Sequence, residues 1–149
     1  MNAPLVVLTV VTAIASATVG GVFFAFSTFV MPALRRLPAA HGIAAMQSIN
    51  VVVINPVFMT ALFGTGAACV ALAIADPSPV VLGAAASYLL GVLGTTMACN
   101  VPRNDALDAL DPGAAEAPSA WRRYVREWTA ANHVRTAAGL AAAGALYAA

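Results

Sequence analysis

The chain has 149 residues, 61% of them hydrophobic and 9% charged, against about 25% charged residues in an average soluble domain. A mean hydropathy of +0.86 excludes an ordinary water-soluble globule and points to the membrane class. The net charge of +1 and the absence of any dense basic cluster give no indication of a nucleic acid partner.

In chain order, the first apolar run has no basic residues at its start. It also exceeds the roughly 7–15 apolar residues of a signal-peptide core. It is expected to be a retained span from about Leu5 to Val30, ending at Met31-Pro32, with Arg35 and Arg36 just beyond. Ala40 to Ile54 is helical in pattern and apolar on most faces, and reads as an extension of the second span with Asn55-Pro56 as a kink. The second span covers 57–75 and stops at Asp76-Pro77-Ser78-Pro79; the third covers 80–99 and stops at Asn100-Val101-Pro102. So short a join makes these two an antiparallel hairpin.

After the turn Asp111-Pro112-Gly113, the segment Ala114 to Ala131 carries Trp121, Tyr124 and Trp128 among arginines, a composition suited to the headgroup region. The fourth span covers 129–149. The expected architecture is therefore all-α, a single transmembrane domain of residues 1–149, built as an integral membrane four-helix bundle with short amphipathic cytoplasmic helices. Gly83, Ser87, Gly91 and Gly94 on the third span, and Gly64 with Ala68 on the second, are expected to let helices approach closely.

All seven positive charges are arginines, and all fall on one side of this arrangement. By the positive-inside rule that side is cytoplasmic, which leaves both termini outside a cell inner membrane. The polar residues of the spans cluster at the same depth. Ser27 lies one turn before the end of span one, and Gln47, Asn50 and Asn55 lie before span two. Asn100 and Asn104 follow span three, while Trp128, Asn132, His133 and Arg135 open span four. Buried amides and charges are costly unless paired, and an arginine inside a span usually faces the bundle interior or a cavity.

Trp121, Trp128, Asn132 and Arg135 recur at i, i+7, i+11 and i+14, on one helix face. A cytoplasm-facing pocket is the expectation, with Arg135 snorkelling to the interface as its rival. Asp105, Asp108 and Asp111 read as a solvated face, and Cys69 and Cys99 as small core residues. His41 and His133 lie far apart without acidic partners at ligand spacing, so no metal site is indicated.

Four pieces, GVFFAFSTFVMPAL, MQSINVVVINPVF, NVPRNDAL and W-x(3)-N-H-V-R-T, keep their order from about Gly20 to Thr136. Together the chain resembles the anthrone oxygenase-like family of small four-helix membrane proteins. The resemblance implies oxidation of a polycyclic aromatic or related apolar substrate by O2, an anthrone methylene becoming a quinone carbonyl, with no metal or flavin required. Such chemistry needs a base, donors for a developing oxyanion, and aromatic walls. His133, whose side chain titrates nearest neutrality, is the default base, with Arg135, Asn132 and Asn50 holding the oxyanion. Phe24, Phe26, Ser27, Gln47, Asn55, Asn100, Asn104 and Trp128 are the expected substrate contacts. Two readings stand beside this one: a non-catalytic membrane binding or assembly protein, and a metal- or haem-dependent membrane oxidoreductase using His133. A homo-oligomer stays open in each.

Overall fold

The computed structural model describes residues 3–149, and every regular element among them is helical. We number the continuous helices α1 (Ala3–Arg35), α2 (Ala39–Val52), α3 (Pro56–Ala75), α4 (Pro79–Asp108) and α5 (Ala117–Tyr147). Of these, α1, α3 and α4 are long and apolar enough to cross a membrane. At 31 residues α5 has the length, since about 20 residues cross the hydrocarbon core. Its hydropathy is pulled down by Asn132, His133 and Arg135, so it falls outside that composition class.

Proline placement explains where the helices run on and where they stop. Met31-Pro32 and Val101-Pro102 do not end their helices, as the sequence suggested; α1 continues to Arg35 and α4 to Asp108. A proline inside a helix clashes with the carbonyl four residues back. In both cases a wider π turn lies immediately before it, Phe26–Val30 in α1 and Thr96–Asn100 in α4. The Met31 N–H reaches back five residues to the Phe26 carbonyl, and the Val101 N–H five residues to that of Thr96. This offset lets the helix absorb the proline without breaking.

Asn55-Pro56 behaves differently. Asn55 takes an extended conformation (φ −125°, ψ 156°), and its Oδ1 accepts a 3.0 Å bond from the Phe58 N–H. It is an N-cap, and Pro56 occupies the first helical position, where a missing N–H costs nothing. The expected kink is thus a complete break, and α2 is a separate helix. The reverse correction applies at residue 129: the expected interfacial helix and the fourth span are one unbroken α5.

α5 packs along α1 and α4, and α3 packs along the same two helices from the other side. One close crossing was not anticipated. A Cβ on Gly139 would lie 3.1 Å from the Gly20 Cα, so α1 and α5 touch backbone to backbone there. On α4 the expected small-residue stripe is half used. A Cβ on Gly91 would collide with Ala138, and Ser87 Oγ donates to the Ala138 carbonyl at 3.0 Å. Gly83 and Gly94 meet no other helix. At the arginine-rich end α2 closes over the others, burying Ile43 and Met46 against Leu107, Trp121, Tyr124 and Trp128. Gly42 permits this closure, because a Cβ there would sit 2.7 Å from the Trp121 ring.

Candidate functional site

The closure leaves a cavity of about 250 Å³ that all five helices line. Its walls are apolar: Phe23 and Phe26 from α1, Met46 and Ile49 from α2, Phe58 and Leu62 from α3, and Trp128 from α5. Its polar groups come from three helices. α2 supplies Asn50; α4 supplies Thr96, Asn100, Asn104, Asp105 and Asp108; α5 supplies Arg135. On α4 the polar set follows from register, since Thr96, Asn100, Asn104 and Asp108 are successive i, i+4 positions. The π turns bring Phe26, Thr96 and Asn100 to the cavity, consistent with the frequent use of such turns at functional sites.

Arg135 dominates the electrostatics. Its residue is 5% exposed, and its guanidinium carbon lies 4.2 Å from the Phe23 ring centre and 5.0 Å from that of Trp128. Nη2 donates to Asn132 Oδ1 at 2.7 Å and Nη1 to Thr96 Oγ1 at 3.4 Å, while the buried Nε has no hydrogen-bond partner. The ion pairs among the described residues are Arg103–Glu127 and Arg126–Glu127, so no carboxylate neutralises Arg135. Two aromatic faces offer a cation–π contribution, which falls well short of replacing water around a full charge. A buried cation held by neutral groups and facing a cavity is a receptor for negative charge.

The surrounding amides hold this arrangement in place. Asn132 is fully buried and uses both sides of its amide: Nδ2 donates to the Phe23 carbonyl and to Ser27 Oγ, each at 2.7 Å, while Oδ1 receives Arg135. It therefore fixes the cation to α1 from behind the cavity wall. Asn104 Oδ1 accepts from the Trp128 indole at 2.8 Å and from the Tyr124 hydroxyl at 2.9 Å. Asn100 Nδ2 donates to the Trp128 carbonyl at 3.2 Å, and its buried Oδ1 is unpaired. Asn50 Nδ2 donates to Asp108 Oδ1 at 3.1 Å. Burial first, and then the Asp108 charge, push the Tyr124 phenol above its ordinary range, so it stays a donor.

Of the residues expected at the site, Phe26, Asn50, Asn100, Asn104, Trp128 and Arg135 line the cavity, and Asn132 with Ser27 supports it. The others are elsewhere. Phe24 is 51% exposed on the outer face of α1, one residue out of register with Phe23. Gln47 Nε2 donates to the Leu107 and Leu110 carbonyls, and Asn55 caps α3. His133 is exposed in a separate groove of about 710 Å³, beside Arg35, Arg122 and Arg126. The structure does not bring it to the cavity. Asp105 and Asp108, read from the sequence as a solvated face, are exposed and also line the cavity. For Asp108 the i, i+4 register with Asn100 and Asn104 was the available signal. Among the described residues no three His, Cys, Asp or Glu side chains come together as a metal-binding group.

Fold and site together define an all-helical protein with three helices long and apolar enough to cross a membrane, and an apolar cavity with one buried, carboxylate-free arginine. The chain belongs to the anthrone oxygenase family, whose sequence model matches residues 50–145. That range includes Asn50, Asn100, Asn104, Asp108, Trp128, Asn132 and Arg135, but not the α1 wall. No curated protein and no solved structure matches the chain.

Proposed function

We propose that the protein is a membrane-embedded, cofactor-independent oxygenase that converts an anthrone-type methylene to a carbonyl with O2. The reading places α1, α3, α4 and α5 across the bilayer as a four-helix bundle, with α2 and the start of α5 at the cytoplasmic surface. All seven arginines then lie at the cytoplasmic end, both termini lie outside, and the cavity opens inward. The observation that carries the proposal is Arg135, a buried cation without a carboxylate, set between two aromatic rings in an apolar cavity.

Loss of a proton from the methylene spreads charge through the ring system onto the carbonyl oxygen. Stabilisation of that oxyanion is the term a fixed cation in a water-poor site supplies. Phe26, Phe58 and Trp128 supply flat walls for the rings, and the electron-rich anion then reduces O2 without a metal or flavin. A metal or haem on His133 is disfavoured by its neighbours, because a cation there would sit among three arginines.

The purified protein in lipid nanodiscs should oxidise anthrone to anthraquinone, with label from 18O2 in the new carbonyl. Arg135→Gln should lower turnover by about 100-fold or more, the usual cost of removing an oxyanion donor. A non-catalytic binding protein would take up anthrone and return it unchanged.

A further inference from the structure

The reaction requires a base, and the histidine the sequence offered is outside the cavity. Its ring opens onto the groove of Arg35, Arg122 and Arg126. The titratable groups that do line the cavity are Arg135, Asp105 and Asp108. Only Asp108 among these carboxylates receives a hydrogen bond from another cavity residue, the 3.1 Å bond from Asn50 Nδ2. That bond spans two helices and uses Oδ1, leaving Oδ2 to act.

Position along the cavity matters as much as identity. Arg135 is buried, whereas Asp108 is exposed while still lining the same space, so it stands at the opening. In an anthrone the acidic methylene and the carbonyl oxygen lie at opposite ends of the central ring. A ligand with its oxygen on Arg135 therefore turns its methylene toward the mouth. The geometry points to Asp108 as the catalytic base, with Asn50 holding its carboxylate; this assignment rests on the oxygenase reading above.

The Asp108 carboxylate takes one methylene proton, and the C–H pair becomes the ring-delocalised oxyanion at Arg135. That anion gives one electron to O2, and the resulting radical and superoxide combine to form a C–O bond. The peroxide takes the proton back from Asp108. Loss of the second methylene proton with cleavage of the O–O bond then leaves the carbonyl and releases water. The methylene loses four electrons, and O2 gains four. The charged and titratable groups around Asp108 are Asp105 on its own helix and Tyr124 and Arg135 on α5, with Asn50 the neutral partner from α2. The Tyr124 phenol stays protonated, so it does not compete for the role.

Proton removal can be read without O2. Full-length protein in nanodiscs, held anaerobically in D2O with anthrone, should speed exchange of the methylene protons above the uncatalysed rate. Asp108→Asn keeps an oxygen for Asn50 to donate to, and should reduce exchange and aerobic turnover together by about 100-fold or more, with anthrone affinity within a factor of about three. Asp108→Glu should recover part of both. Exchange by Asp108→Asn at the wild-type rate overturns the assignment of the base while the oxygenase reading stands. If wild-type protein neither exchanges nor oxidises anthrone, both fall together.

Discussion

The two sides of α5 carry the same side-chain chemistry to opposite ends. On one side Arg135 is 5% exposed between Phe23 and Trp128, and it lines the inner part of the cavity. On the other, Arg122, Arg126 and His133 are exposed around an open groove, and Arg126 lies 3.7 Å from Glu127. Water screens the second set, so each of its charges contributes little to stability or binding. Arg135 has no such relief and is held by Asn132, Thr96 and two rings. The difference teaches that burial without a counter-charge, rather than the count of basic residues, sets Arg135 apart.

The largest expected effect separates the two sides directly. Arg135→Gln should lower anthrone turnover by about 100-fold or more, whereas Arg122→Gln or Arg126→Gln should stay within about threefold. Steady-state oxygen uptake measures all three. Asn132→Ala comes next. It frees the Phe23 carbonyl, Ser27 and Arg135 at once, and each buried group left unpaired costs about 1–3 kcal/mol. A fall of roughly tenfold or more in kcat, with a lower melting temperature, is the expected outcome.

A packing change sharpens the comparison from the α2 side. Gly42→Val places a Cβ 2.7 Å from the Trp121 ring. Overpacking of this kind costs about 1–3 kcal/mol, which thermal unfolding in detergent would detect. The smallest effect concerns pH. The Tyr124 phenol is raised above its ordinary value of 10.0 by burial, so the folded state holds its proton more tightly than the unfolded chain does. Its contribution is intact below about pH 10 and is lost as the pH rises further. Tyr124→Phe should therefore lessen the drop in stability between pH 9 and 11, as followed by unfolding at each pH.

Much of this was legible from residue order. Composition indicated the membrane class, the arginines marked one end, and the Trp121-Trp128-Asn132-Arg135 spacing picked out a buried face of α5. Four features were not legible, each for a physical reason. Pro32 and Pro102 looked like helix ends because the π turns that accommodate them leave no sequence signature as strong as proline itself. Asn55 looked like part of a kink, although its side chain serves as a cap. Asp108 looked solvated, and it is exposed; only the approach of α2, which brings Asn50 to it, turns that exposed carboxylate into the rim of a cavity. Phe24 and Phe23 differ by one residue, and an error of 100° about the helix axis moves a ring from the cavity to the outer surface.

If Arg135 stabilises a bound oxyanion, a ligand that changes colour on ionisation reads this directly. A hydroxylated anthraquinone titrated in nanodiscs should ionise at least one pH unit lower when bound to wild-type protein than when free. Arg135→Gln should abolish that shift while the ligand still binds. Ionisation of the bound ligand at its free value, or higher, in the wild-type protein would contradict the account.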